Sequence, residues 1–362
     1  MDDELYLSVG DQTITGWTDI RVTRGIERCV SDFDIGLTEE QVEQDEVTEV
    51  VVQPGDECLI DLGADLVLTG YVDTYVPSIS PGAHGVRITG RSKCEDLVDC
   101  SAVWPNGQIS GTSALDVATK LAAHYGISVS CDVTDLVAIP QFNVFIGETP
   151  FEIIERVSRF SQLLVYDQPD GSLCLARAQS GDSGARATGG IVQGANVQSA
   201  SVLYSAVERF SKYTCFAQSV LSFTDAGIGA NMIATVSDPN VSRVRERYIV
   251  AEAVQGFLDL AKRRAIWEMN RRAGRAAVVS VKVDSWRDSG GVLWTPNTLV
   301  FVDIPKLKIS KKTWLIGEVT YMRNAEEGTT AELIIMDPTA YYPEPIALQP
   351  LFVDSSTIGG QN

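Results

Sequence analysis

The chain has 362 residues, 44% of them hydrophobic, and a formal net charge of −19. That length and apolar content fit roughly two to three domains with sizeable cores and exclude disorder over most of the chain. The charge argues against a general nucleic-acid binder, which needs basic groups to displace counterions. No apolar run reaches the ~18 residues of a membrane span, and the acidic start Met1-Asp2-Asp3-Glu4 lacks a secretory pattern, which predicts a chain that stays in the cytoplasm where it is made.

Residues 1–92 read as all-β. Short alternating strands are predicted at Tyr6, Ile20-Arg21-Val22-Thr23, Phe33-Asp34-Ile35, Leu59-Ile60-Asp61-Leu62 and Val86-Arg87-Ile88, separated by Gly, Pro and Asp turns. The acidic stretch 39–49 breaks the pattern and predicts a long loop. Residues 93–180 form an α/β module. Thr112-Ser113 caps a helix carrying Leu115, Ala118, Leu121, Ala122 and Tyr125, stopped by Gly126. Thr149-Pro150-Phe151-Glu152 combines a cap, a proline suited to the first helical position and a capping box. Ile153, Val157 and Phe160 continue that helix, and Leu164 falls either on it or on the next strand. The strand 163–166 then turns through Pro169-Asp170-Gly171 into Leu173-Cys174-Leu175.

A linker rich in Gly, Ser and Ala is predicted at 181–195, then strands near Tyr213-Thr214-Cys215-Phe216 and a polar loop at about 222–231. A helix follows from about 251 to 273, with Val254, Leu258, Ala261 and Ala265 on one face and Gly274 as its stop. Strands resume at 278–283, 299–304, 314–321 and 331–336. The Pro-rich, then Gly/Ser-rich tail predicts an extended or disordered arm. The division expected is a first β-barrel domain at 1–92, the α/β module at 93–180, a second β-barrel domain at 181–340 with a helical insertion at about 250–274, and a tail at 341–362. The fold class is α+β, mainly β.

One pattern occurs twice. Pro54 matches Pro296, Asp61 matches Asp303, and Gly70-x-Val72 matches Gly317-x-Val319. A β-rich stretch follows each copy, at 86–89 and 331–335. Chance likeness of two strand pairs and a true duplication both fit this match. The duplication points to an architectural ring component more than to an enzyme.

The residues that invite a chemical reading lack the setting for it. Gly181-Asp182-Ser183-Gly184 and Ala122-Ala123-His124 resemble the serine and histidine motifs of trypsin-like proteases. His124 ends a predicted helix, however, and a helix and hairpin fill the chain between it and Ser183. His84 falls in a predicted turn. Two isolated histidines and seven cysteines without C-x-x-C spacing predict neither a metal site nor a disulfide framework. The cysteines read as reduced, buried small hydrophobes. Glu148, Glu152 and Glu155 crowd one helix start, where Glu152 serves the cap and Glu155 suits the helix dipole. Gly227-Ile228-Gly229-Ala230-Asn231 lacks the third glycine of a dinucleotide fingerprint. No catalytic, cofactor-binding or metal residue is predicted. Glu39, Glu40, Glu43, Asp45, Glu46 and Glu49 form an acidic cluster, and Arg263, Arg264, Arg271, Arg272 and Arg275 a basic one. Each reads either as a solvated face or as a complementary contact with a second copy or a partner.

Several segments resemble one family. Thr89-Gly90-Arg91-Ser92-Lys93-x-x-Asp96-Leu97-Val98-Asp99-Cys100-Ser101 is similar to the segment after the first barrel in baseplate hub proteins of Mu-like contractile-tailed phages. Gly147-Glu148-Thr149-Pro150-Phe151 through Tyr166-Asp167-x-Pro169-Asp170-Gly171 resembles the family's helix-hairpin, which late-control D proteins and type VI spike proteins carry in weaker form. Asp238-Pro239, Arg243-x-Arg245, Arg263-Arg264-Ala265-x-Trp267-Glu268, Trp286-Arg287-Asp288 and Leu293-Trp294-x-Pro296-Asn297 extend the resemblance over about residues 4–340. The resemblance implies a homotrimer whose two barrels per chain build a pseudo-sixfold ring, joining the sixfold tail tube to the threefold central spike. The partners implied are other copies of the chain, the tube or tube-initiator protein, the spike and other baseplate (wedge) proteins. DNA is expected to pass the lumen without specific binding, and the protein is expected in the virion baseplate after assembly in the host cytoplasm. A tail-associated cell-wall-degrading enzyme is the alternative.

Overall fold

The computed structural model describes residues 4–40, 52–80, 83–104, 107–218, 231–251, 258–346 and 348. The first unit contains β1 (Leu5–Val9), β2 (Gln12–Ile14), β3 (Asp19–Gly25), β4 (Asp32–Glu40), β5 (Glu57–Leu62), β6 (Asp65–Ser80) and β7 (Ala83–Ser92). Alternation does the sorting: Cys58, Ile60 and Leu62 are buried, while Glu57 and Leu59 face out. All neighbours in the order β3-β4-β7-β6-β5-β1-β2 are antiparallel. His84 lies within β7, paired with Glu39 of β4, rather than in the predicted turn; only 81 and 82 separate β6 from β7.

The module follows as α1 (Glu95–Asp99), β8 (Gln108–Ile109), α2 (Ala114–Ala123), β9 (Val129–Cys131), β10 (Phe142–Asn143), α3 (Pro150–Phe160), β11 (Leu164–Asp167) and β12 (Leu173–Ala176). Both predicted caps are present as full capping boxes, Ser113 with Asp116 and Thr149 with Glu152. Gly171 takes φ +78 in the hairpin turn, and Leu164 belongs to the strand. Val117, Leu121, Ile153, Ile154 and Val157 close a separate core, to which Cys29 of the first unit and Leu348 also contribute.

The second unit contains β13 (Ile191–Val192) and β14 (Val197–Tyr204), then β15 (Lys212–Gln218), β16 (Asn231–Ser237), β17 (Glu246–Val250) and α4 (Leu258–Gly274), and finally β18 (Ala277–Val283), β19 (Thr298–Ile304), β20 (Ile309–Asn324) and β21 (Gly328–Met336). Strands β14 and β18 pair directly, so everything from β15 to α4 is one insertion between paired neighbours. It is larger than the predicted helix. A separate sheet, β16-β15-β17, packs Tyr213, Cys215 and Ile249 against Ala261 and Ala265 of α4. Helix α4 is described from Leu258 to Gly274, its last residue, and 252–257 of the predicted helix lie outside the described residues. Residues 219–230, which hold most of the predicted polar loop, and 41–51, which hold most of the acidic stretch 39–49, lie outside the described residues.

Two segments that the sequence left loose make defined contacts. The predicted linker is laid along β19: Ile191 and Val192 pair with Val302 and Asp303, and Ile191 is fully buried. Small residues here permit close approach, since a Cβ at Gly190 would press on Phe301. The start of the tail is docked. A 3-10 turn (Pro338–Tyr341) buries Tyr341, and Glu344 pairs with Arg159 at 3.0 Å and with Arg264.

The two units have the same strand order: β3-β4-β7-β6-β5 in one and β14-β18-β21-β20-β19 in the other. Register makes the match residue by residue. Both copies shift register at the matched aspartates, just past Ile60 in β5 and past Val302 in β19. A second bulge skips Asp73 in β6 and Gly317 in β20. Hydrogen-bonded register thus equates Val72 with Ile316, Gly90 with Ile335, Ile35 with Val281 and Ile20 with Ala200. The two glycines of the sequence match are not equivalent. Gly70 keeps clear of the Arg91 carbonyl across the ladder, whereas Gly317 makes room for Tyr341.

The units share one continuous sheet. Glu318–Arg323 of β20 pair antiparallel with Ile20–Gly25 of β3. One core runs through both, from Phe33, Ile60 and Ile88 to Val281, Val302 and Leu333. Tyr321 and Val22, opposite each other at the join, are both fully buried.

Candidate functional site

The side chains that invited chemistry are apart and otherwise employed. His124 caps α2 exposed and stacks edge-on with Tyr125 at 5.0 Å. Ser183 is exposed on a turn after Gly181. Glu148 accepts from Phe145 N at 2.8 Å and pairs with Arg156, Glu152 completes its capping box, and Glu155 pairs with Arg159. No group of three or more possible metal ligands occurs among the described residues. Five cysteines are buried, but Cys100 and Cys131 are half-buried, and all seven are free.

The motif residues instead build junctions between elements. Asp167, buried at the end of β11, accepts from Ser31 N at 3.0 Å and Ser31 Oγ at 2.8 Å, tying the hairpin to the start of β4. Burial raises its pKa, opposed by its hydrogen bonds and by Arg24. Asn297 takes φ +59 and holds three partners: its Nδ2 donates to Tyr166 Oη and Arg177 O, both at 3.1 Å, and its Oδ1 accepts from Gln179 N at 2.9 Å. Asp167, Asn297, Tyr166 and Arg24 line a cavity of about 110 Å³ where module and both units meet. Trp286 donates to Met322 O at 2.9 Å, and Arg287 reaches across to Leu62 O at 2.9 Å and to Asp65 of the first unit.

The basic cluster is largely spent inside the chain. Arg271 and Arg275 both reach Glu27 and the Ala340 carbonyl, Arg272 pairs with Glu268 and Glu208, and Trp267 donates to Tyr342 O at 2.7 Å. Arg91 binds Asp73 at 2.8 Å and Asp99 at 2.9 Å, with Glu95 at 3.1 Å. Glu95 is crowded by burial and by Asp73, which push its pKa up to about 7 against the pull of Arg91.

The sheet also leaves strand edges open, which periodicity alone did not reveal. Among the described residues β14 pairs only with β18, and the end of β6 beyond its bulge pairs only with β7. Ile79 is 89% exposed, Leu203 65% and Val76 52%. Pro77, which has no backbone donor, was the one sequence signal of an edge there.

A duplicated β unit on one continuous sheet, buttressed by a helix-hairpin module, defines a mainly β protein built on an internal repeat. Comparison with known proteins specifies it. Three family models match: Mu phage baseplate assembly protein GpP-like, N-terminal, on residues 4–92; baseplate hub protein gp44-like, second domain, on 94–177; and Mu phage baseplate assembly protein GpP, fourth domain, on 258–344. The chain is 30% identical to baseplate hub protein gp44 of Escherichia phage Mu over 337 residues, 91% of this chain and 86% of that one. It therefore belongs to the Mu-type baseplate hub protein family. Among solved structures, the 43 kDa tail protein of prophage MuSo2 from Shewanella oneidensis superposes with a TM-score of 0.83 at 29% identity, covering 94% of this chain and 99% of that one. The tail protein from Neisseria meningitidis MC58 has a TM-score of 0.78 at 20% identity, with 95% and 99% covered. A type VI secretion component of E. coli, c3393, shares the fold at a TM-score of 0.58 and 12% identity, with 94% and 80% covered.

Proposed function

We propose that this hub protein assembles as a homotrimer whose six β units form a pseudo-sixfold ring between the sixfold tail tube and the threefold central spike. The observation that carries the reading is the duplicated five-strand unit with its two matched bulges. Two equivalent units per chain let three chains present six similar faces on one side while staying threefold elsewhere. On this reading the barrels at 1–92 and 181–340 form the ring, and the module at 93–180 buttresses them. Tube or tube-initiator, spike and wedge proteins are its neighbours, assembled in the host cytoplasm into the virion baseplate. DNA passes a lumen kept non-adhesive by the chain's net charge of −19. Light scattering of the purified chain tests this: a mass of three chains is expected, and a stable monomer at high concentration overturns it. Clearing of a peptidoglycan suspension by the same preparation would favour the cell-wall-degrading alternative.

A further inference from the structure

The internal duplication gives each edge of one unit a counterpart in the other. Within one chain, the second unit meets the first by pairing β20 with β3, Glu318↔Gly25 through Arg323↔Ile20. The matched bulges translate each side of that seam. Residues 318–323 of β20 correspond to 74–79 of β6, and residues 20–24 of β3 correspond to 200–204 of β14. Each of these two counterpart edges is left unpaired on its outer side among the described residues. They cannot complete the same seam with each other in one chain without closing the sheet on itself, and no such pairing occurs among the described residues. An open edge with exposed apolar side chains is a template for another strand.

We infer that residues 75–79 of one copy pair antiparallel with residues 200–204 of a second copy. The inference rests on the ring reading and gives it an atomic seam. The register follows from the in-chain seam: Tyr75 opposite Tyr204, Val76 opposite Leu203, Pro77 opposite Val202, Ser78 opposite Ser201 and Ile79 opposite Ala200. The faces agree. Opposite residues Val22 and Tyr321 lie on the core face; their counterpart Val202 packs at the margin of that core, and Pro77, exposed in the single chain, falls on the same face by register. On the other face the seam has Thr23 and Thr320, hydroxyl oxygens 3.3 Å apart. Their counterparts are Leu203 and Val76, an apolar pair in place of a polar one, both exposed in the single chain. That exposure is what an interface between copies removes. Pro77 supplies only its carbonyl, so the seam between copies has one donor fewer than the seam within the chain. Each chain offers one edge of each kind, so the contact is head-to-tail and closes when the ring is complete.

Paired cysteines test the register. The full chain carrying Val76→Cys and Leu203→Cys is oxidised and run on a denaturing, non-reducing gel. Bands of two and three linked chains are expected, absent from each single variant and from Tyr75→Cys with Leu203→Cys, whose thiols face opposite sides. Linking that is equal in the off-face pair, or no linking in a chain that light scattering shows to be trimeric, overturns the seam and leaves the ring. A monomeric parent chain overturns both. Independently, Leu203→Asp is expected to yield monomers with an unchanged far-ultraviolet circular dichroism spectrum; full assembly by that variant refutes the seam.

Discussion

Gly317→Ala is the sharpest probe of how the second unit is closed. A Cβ at this bulge overlaps the hydroxyl and ring of Tyr341, which is buried in the 3-10 turn that ends the fold. Gly317 is not at a positive φ, so alanine meets no backbone strain and the cost is purely steric. One methyl forced into a packed site costs about 1–3 kcal/mol, or a fall of several degrees in thermal midpoint for a domain of this size. Tyr341→Ala alone removes a buried aromatic ring and costs about 3–5 kcal/mol. With the ring gone, Gly317→Ala changes sign. It then restricts the unfolded chain at no steric cost and stabilises by about 0.4–1 kcal/mol. Urea titrations of the four proteins close the cycle. A Gly317→Ala chain as stable as the parent, or one equally destabilised with and without Tyr341, would refute the packing argument.

Glu95 makes a pH prediction. Its folded pKa, about 7, lies above its ordinary value of 4.5, so the folded state binds the extra proton and stability falls as pH rises between those values. Glu95→Gln is expected to match the parent near pH 4 and to exceed it by about 1–2 kcal/mol at pH 8, after allowance for solvent screening; a constant difference across that range would refute the assignment. Asn297→Ala loses three hydrogen bonds and strains a left-handed residue, for about 2–4 kcal/mol. Asn297→Gly keeps the conformation and falls between it and the parent, and equal denaturation midpoints for the two variants would count against the backbone contribution. Burial, aided by Glu95 and Asp73, pushes the Cys58 thiol up to about 12. At pH 8 iodoacetamide is expected to leave Cys58 unmodified in the native chain and to label it in urea, as read by peptide mass.

The duplicated unit illustrates how differently two kinds of information were carried. Leu59 and Phe301 are counterparts in β5 and β19, and both are exposed large side chains. Pro54, Asp61 and their matches located those strands, because a turn and a bulge need particular residues. The Gly70-to-Gly317 match misled by three positions, because each glycine answers a different local clash.

Local signals determined the elements of this protein. The Ser113 and Thr149 caps, the Pro169-Asp170-Gly171 turn and the alternation of β5 all act within a few residues, so their hydrogen bonds and periodicities were legible in order along the chain. Motif likeness likewise carried the family. Only the tertiary structure decided that Arg271 and Arg275 serve Glu27 rather than a partner, that residues 181–195 line β19, and that an entire sheet is inserted between β14 and β18. It alone showed which strand edges remain open. Pairing partners hundreds of residues apart are chosen by which apolar faces bury together and which register fits both bulges, and no local pattern encodes that choice.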